Sequence, residues 1–319
     1  MYKNFLYGFC ITIIVILTSF GYIIFKTFPP NFFQVLMGLN KKYLISSFIF
    51  LIFYHTFDNL RLFFIARSLN LRYPFLYGYL VSLVSTFGAT VTPAHLGGEV
   101  LPLYTLSRKG GEFYKILTAV TIKGVSGTLF YVFFLPFTLH TLFKNPKQTK
   151  EFLVIVFLLI FLFVLGYLLW QKLVIKNESL LKGKLRKKLK NTFLKYIATC
   201  KQFIKKDKKV FLTVLIFSFL LYFSFIFIGI FLLKAFHVNI NWKEVYLNQL
   251  PLVYAIFMSP TPGGSGVGEL GALPIFSSYL SETYLGIFVI LWRIISQYLS
   301  AFLGGIIFSI FLLKDLRKN

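Results

Sequence analysis

Apolar residues run along this chain in long stretches without alternation, and most charged positions fall between the stretches. Strict alternation would mark strands, whereas unbroken runs of about 20 apolar residues mark helices that cross a bilayer. Six runs qualify: Phe5–Phe25, Leu44–Phe64, Leu117–Leu139, Phe152–Trp170, Val210–Leu233 and Leu285–Leu313. Two further apolar segments are interrupted. Phe75–Leu106 is cut by Thr92-Pro93 and Gly97-Gly98, and Val245–Leu280 is cut by Ser259–Gly268. The pieces left after each cut are too short to cross alone, so each segment is expected to form a re-entrant helical hairpin, 75–106 and 245–280.

Charge then orients the pattern. Basic residues concentrate on the cytoplasmic side of membrane helices, and the densest basic stretch runs from Lys172 to Lys209. With that stretch inside, Arg67, Arg72, Arg108, Lys109 and Lys115 also fall inside, as do Lys3, Lys314, Arg317 and Lys318 near the termini. The first hairpin then enters from the cytoplasm and the second from outside. Residues 44–139 read as span, hairpin, span, and residues 210–313 read the same upside down. The expectation is an all-α polytopic membrane protein, one domain over 1–319. It has about six spanning helices plus two re-entrant hairpins in an inverted-topology repeat, with both termini cytoplasmic. Transporters built this way bring broken helices to the midplane, where substrate binds.

Composition narrows the class. The chain has 57% hydrophobic and 20% aromatic residues and a formal net charge of +24. A basic surplus flanking membrane spans reports topology and contact with anionic lipid, so no nucleic-acid partner is expected. In the linker, apolar positions from Leu185 to Ile204 recur at helical spacing among lysines. Segment 184–209 is expected to be a basic amphipathic helix on the anionic inner leaflet; the alternative is a solvated helix packed on the protein's own cytoplasmic face. The two cysteines, Cys10 and Cys200, give neither a disulfide framework nor a metal site. No cofactor is expected. Lys26 and Pro29-Pro30 follow the first apolar run with no small-residue cleavage site, so this run reads as an uncleaved span.

The breaks carry the candidate chemistry. Irregular backbone at membrane depth persists only where protein or a water-filled cavity surrounds it. Each break also holds a glutamate, Glu99 or Glu269. Burying such a charge costs roughly 3 kcal/mol on insertion scales. Placement in the first turn of a helix returns only about 0.3–1 kcal/mol, so a deeply buried glutamate needs a partner. Arg293 in the last span is the expected partner of Glu269, or else a phosphate ligand. Supporting charges are Lys123, Asp58 and Arg61, the last two spaced three apart on one helix face; Arg61 is placed to snorkel to the surface. His95 reads as a hydrogen-bonded polar residue. The turn Pro262-Gly263-Gly264-Ser265-Gly266 offers free N–H groups ahead of a helix, a geometry that cradles phosphate. Gly263-Gly264-Ser265-Gly266 also matches a pattern of intramembrane serine proteases. No histidine follows Ser265 to act as its base, which ranks that chemistry low.

Thr92-Pro93-x-x-x-Gly97-Gly98-Glu99, taken with Pro260-Thr261-Pro262-Gly263-Gly264-Ser265-Gly266-Val267-x-Glu269, resembles the lysylphosphatidylglycerol synthase transmembrane region, also called the flippase-like family. The second motif is the more specific, and the likeness extends over essentially the whole chain. It implies an inner-membrane protein that moves or binds phospholipids or polyprenyl-linked lipids. Bifunctional relatives carry a cytosolic aminoacyl-transferase domain after the membrane region, and that activity is not expected of this chain. Many relatives place an arginine shortly after the first glutamate, where this chain has Pro102-Leu103. The expected function is a flippase for an anionic or lipid-linked substrate. A membrane enzyme acting on headgroups and a proton-coupled small-solute transporter are the alternatives.

Overall fold

The computed structural model describes residues 32–143 and 184–317, together with Thr18 and Gly21. The expected span Phe152–Trp170, and Phe5–Phe25 apart from those two residues, lie outside the described residues. Within them the chain is helical and contains no strand. The helices are α1 (Phe32–Gly38), α2 (Lys41–Ser68), α3 (Phe75–Val91), α4 (Gly97–Ser107), α5 (Phe113–Phe143) and α6 (Lys184–Lys206). They continue with α7 (Lys208–Ala235), α8 (Trp242–Met258), α9 (Val267–Phe276), α10 (Glu282–Arg293) and α11 (Leu299–Leu316). Short 3-10 turns at Pro93–His95 and Pro262–Gly264 stand at the two sequence breaks. A π turn, Ile294–Tyr298, joins α10 to α11. Among the described residues, α2, α5, α7 and the α10–α11 run Glu282–Leu316 are long and apolar enough to cross a membrane. Each exceeds the apolar run that announced it, because charged and polar residues continue the helix at both ends.

Helices suit this composition because they satisfy every backbone group internally where no water can. Hydroxyls inside them follow the same rule: Thr56, Thr118 and Ser224 each donate to the carbonyl four residues back. Asn40 and Asn241 open α2 and α8 by accepting from Lys42 and Lys243 N–H groups, the usual N-cap arrangement.

The frame is the antiparallel pair α2 and α7. Asn40 N–H donates to Ala235 carbonyl at one end (2.9 Å), and Arg61 reaches Ser218 toward the other (3.2 Å). Between them Phe50 stacks on Phe227 and Phe231. The segment 75–106 folds as two antiparallel helices: Ser85 donates to Gly98 carbonyl and Tyr77 to Thr105 carbonyl. Gly88 and Gly97 face each other so closely that a Cβ on either would strike the other's carbonyl. The segment 245–280 folds likewise, with Asn248 of α8 donating to Tyr279 in the turn that follows α9 (2.6 Å). Because α2 and α7 run oppositely, the hairpins leave opposite ends of the pair, and their tips meet. Ala94 N–H donates to Pro260 carbonyl there, at 3.2 Å.

The basic helix α6 stops at Asp207, one residue before α7 begins. Phe203 is buried in the core formed by α2, α3, α5 and α7, and Tyr196 donates to Thr121 of α5 (3.2 Å). Phe193, Leu194 and Ile204 stay exposed. The apolar stripe is therefore divided between the protein and its surroundings.

One packing contact yields a direct test. Gly304 of α11 lies against α3 with no room for a methyl group: a Cβ there would overlap the Leu83 carbonyl. G304A must push two backbones apart, and overpacking of this kind costs about 1–3 kcal/mol. A lowered melting temperature of the detergent-purified protein is the expected result. An unchanged one would show that α3 and α11 are not interlocked.

Candidate functional site

The second break is sealed. Glu269 and Arg293 have no exposed side-chain surface, and Arg293 Nε donates to Glu269 Oε1 at 2.8 Å. Glu269 Oε2 accepts from Gly266 N–H at 2.6 Å, so the carboxylate also caps its own helix. Tyr298 O–H donates to Glu269 as well. The rest of the guanidinium is spent locally: Nη1 donates to Gln297 (2.6 Å) and Nη2 to Gly263 carbonyl (3.1 Å). The π turn makes this possible. Its wider spacing brings residues four and five after Arg293, Gln297 and Tyr298, to the same side of the helix. A glycine at 268 makes space, since a Cβ would stand 2.7 Å from Arg293 Cζ.

This arrangement corrects the expectation of a phosphate cradle at 262–266. Gly264 and Ser265 N–H groups donate to Thr261 and Pro262 carbonyls, and Gly266 N–H to Glu269. The chain's own carboxylate takes the anion's place. Thr261 closes the loop by donating to Ser265 carbonyl (2.9 Å). Pro262, Gly263 and Gly264 are buried, with positive φ at Gly263, Gly264 and Gly266. Ser265 is buried too and shares no hydrogen bond with His95.

The first break is open. Thr92 links α3 to α4 by donating to Gly88 carbonyl and accepting from Gly97 N–H, at 2.8 and 2.6 Å. Pro93 begins the turn, and Ala94 and His95 both adopt positive φ. Gly97 and Gly98 are buried against α3. His95 stacks on Phe257 of the opposite hairpin. Glu99 is exposed to an internal cavity and has no hydrogen bond or ion pair among the described residues.

That cavity has two adjoining parts, of about 160 and 560 Å³, both lined by Arg61, His95, Glu99, Lys123, Tyr222 and Phe257. The larger part lies within the roughly 300–1,000 Å³ usual for small-molecule sites. Its far walls are apolar, Val100 and Leu103 of α4 facing Leu117 and Val120 of α5. Leu96 and Val100 are 64% and 57% exposed, so the apolar walls reach the protein surface as a groove between α4 and α5.

Arg61 does not snorkel. It is buried beside Asp58, with Nη2 2.6 Å from Oδ1, and Lys123 Nζ reaches the same carboxylate at 3.1 Å. Burial requires such pairing, because the interior cannot solvate the charges singly. Arg61 Nη1 donates to Ser218, which donates to Ser126, while Arg61 Nε has no protein partner. The residues that sequence reasoning missed are Gln297, Tyr298, Thr90, Tyr222 and Ser218. Gln297, four residues beyond Arg293 on the same helix, was accessible to i,i+4 reasoning. The others depend on which helices pack together.

These features fit a membrane protein with a charged cavity reached through an apolar groove. Over 309 residues the chain is 25% identical to a UPF0104 membrane protein of Archaeoglobus fulgidus, covering 92% of this chain and 94% of that one. The model of the lysylphosphatidylglycerol synthase TM region matches residues 6–304. The chain therefore belongs to the lysylphosphatidylglycerol synthase transmembrane-region family.

Proposed function

We propose that this protein is a flippase of the cytoplasmic membrane that carries a lipid with an anionic, phosphate-bearing headgroup. One observation carries the reading: the cavity holding Arg61 and Lys123 runs into an apolar groove that opens between α4 and α5. A headgroup needs the charged end and acyl or prenyl chains need the apolar end, and the two are continuous here. The hairpins support it further. In this reading they are re-entrant, they enter from opposite sides as an inverted repeat, and their meeting tips lie near the midplane beside the cavity. The phosphate would be taken by Arg61 and Lys123, not by the second turn, whose donors are already engaged.

The test is reconstitution into liposomes with fluorescent phosphatidylglycerol, phosphatidic acid or polyprenyl phosphate. Accelerated flipping of at least one is expected. Lys123→Met leaves Asp58 paired with Arg61 and so preserves the fold. A hydrogen bond to a charged group is worth about 1.5–3 kcal/mol, so K123M should slow flipping by about tenfold or more. No acceleration by folded wild-type protein for any of the three lipids would sink the reading.

A further inference from the structure

We infer that the cavity binds a proton together with each anionic headgroup, and that Glu99 holds it. This rests on the headgroup reading above and adds its coupling ion. The charge count of the cavity carries the inference. From α2 come Asp58, Arg61 and the neutral Tyr54; from the first turn, His95; from α5, Lys123 and Tyr131; from α7, Tyr222. Arg293 behind the tips is committed to Glu269. Two cations and two carboxylates remain, and their roles differ. Asp58 binds both Arg61 and Lys123, whereas Glu99 has no hydrogen bond or ion pair among the described residues.

With Glu99 ionised the cavity is neutral, and an arriving phosphate monoanion would leave an uncompensated negative charge inside the protein. With Glu99 protonated the cavity carries one positive charge, which the phosphate neutralises. Charge is costly to leave unbalanced in a low-dielectric interior, so phosphate binding and protonation of Glu99 favour each other. By linkage the effect is reciprocal: lowering the pH tightens anion binding, and anion binding draws a proton from solution. No bond is made or broken beyond the transfer of that proton to a carboxylate oxygen. Glu99 is suited to the role because its carboxylate lines the cavity and holds no hydrogen bond or ion pair among the described residues that protonation would break. His95, with Nδ1 also unpartnered, is the competing acceptor, and the test separates the two.

The experiment is isothermal titration calorimetry of the purified full chain with dioctanoyl-phosphatidylglycerol, whose charge is constant above about pH 5 because a phosphodiester is a strong acid. Paired buffers of different ionisation enthalpy report the protons taken up. Wild type should take up as much as about one proton per lipid, and affinity should rise by up to about tenfold per pH unit lowered, over the range where Glu99 titrates. E99Q should bind with neither uptake nor pH dependence, and H95Q should retain both. Binding without uptake by wild type would overturn the coupling and leave the headgroup site standing. Uptake that persists in E99Q, or vanishes only in H95Q, would overturn the assignment to Glu99. Failure of dioctanoyl-phosphatidylglycerol, dioctanoyl-phosphatidic acid and a short-chain polyprenyl phosphate alike to bind folded protein would remove both readings together.

Discussion

Arg293→Met should destabilise this protein more than any other single change among its described residues, by about 3–5 kcal/mol. The expectation follows from what is left behind. Methionine fills most of the arginine's volume, so the cavity term is small. Glu269 would remain as a fully buried carboxylate with only Gly266 N–H and Tyr298 O–H as donors. Gln297 Oε1 would lose its donor, and the Gly263 carbonyl one of its two. The double variant R293M/E269Q removes the stranded charge and keeps a side chain able to cap Gly266. It should therefore melt above R293M alone. Thermal unfolding in detergent, followed by fluorescence of the adjacent buried Trp292, measures the order. If the double variant melts as low as the single one, the stranded charge is not what R293M costs.

Asp58→Asn should have the second largest effect, with a signature the first lacks. Arg61 and Lys123 contact the same carboxylate oxygen at 2.6 and 3.1 Å, so Asp58 is what allows two cations to share one place. At an effective dielectric of about 20, like charges about 5 Å apart repel by about 3 kcal/mol. D58N should be less stable by about that amount when no lipid is bound. An anion placed between the cations would do the missing carboxylate's work. Short-chain phosphatidylglycerol should therefore raise the melting temperature of D58N by more than it raises that of wild type. Equal shifts in the two proteins would mean that the lipid phosphate does not lie between Arg61 and Lys123.

These two residues also show what could be read from the sequence and what could not. Glu269 and Arg293 were visible because each is an ionisable group inside an apolar run, and burial cost alone demands a partner for both. The hairpins were visible because Thr92-Pro93 and Pro260–Gly266 interrupt runs that are otherwise long enough to span. What stayed hidden was the rotation of each helix. Asp58 and Lys123 are 65 residues apart, and no periodicity says that α2 and α5 turn these two side chains toward each other. The same ignorance misplaced the emphasis: the glycine-rich second turn looks like an anion site, yet its donors are consumed by Glu269, while the plainer first turn faces the cavity. Gln297 could be placed beside Arg293 by its i,i+4 spacing, but that Tyr298 joins it on the same side comes from the π turn, which no apolar pattern announces.

Gln297 has one more consequence. It lines the cavity, donates both amide hydrogens, to Thr90 and to the Gly263 carbonyl, and accepts from Arg293. The cavity is thus bounded here by a side chain that does not ionise and whose two amide hydrogens are both engaged. Behind it stands a fixed guanidinium, which repels any cation that would follow the same route. The two hairpin tips meet beside it, and under the flippase reading this residue would keep their junction from conducting ions. A flippase that opens a wet pocket within a bilayer must not short-circuit the membrane, and in the proposed reading one amide backed by one arginine would supply the barrier.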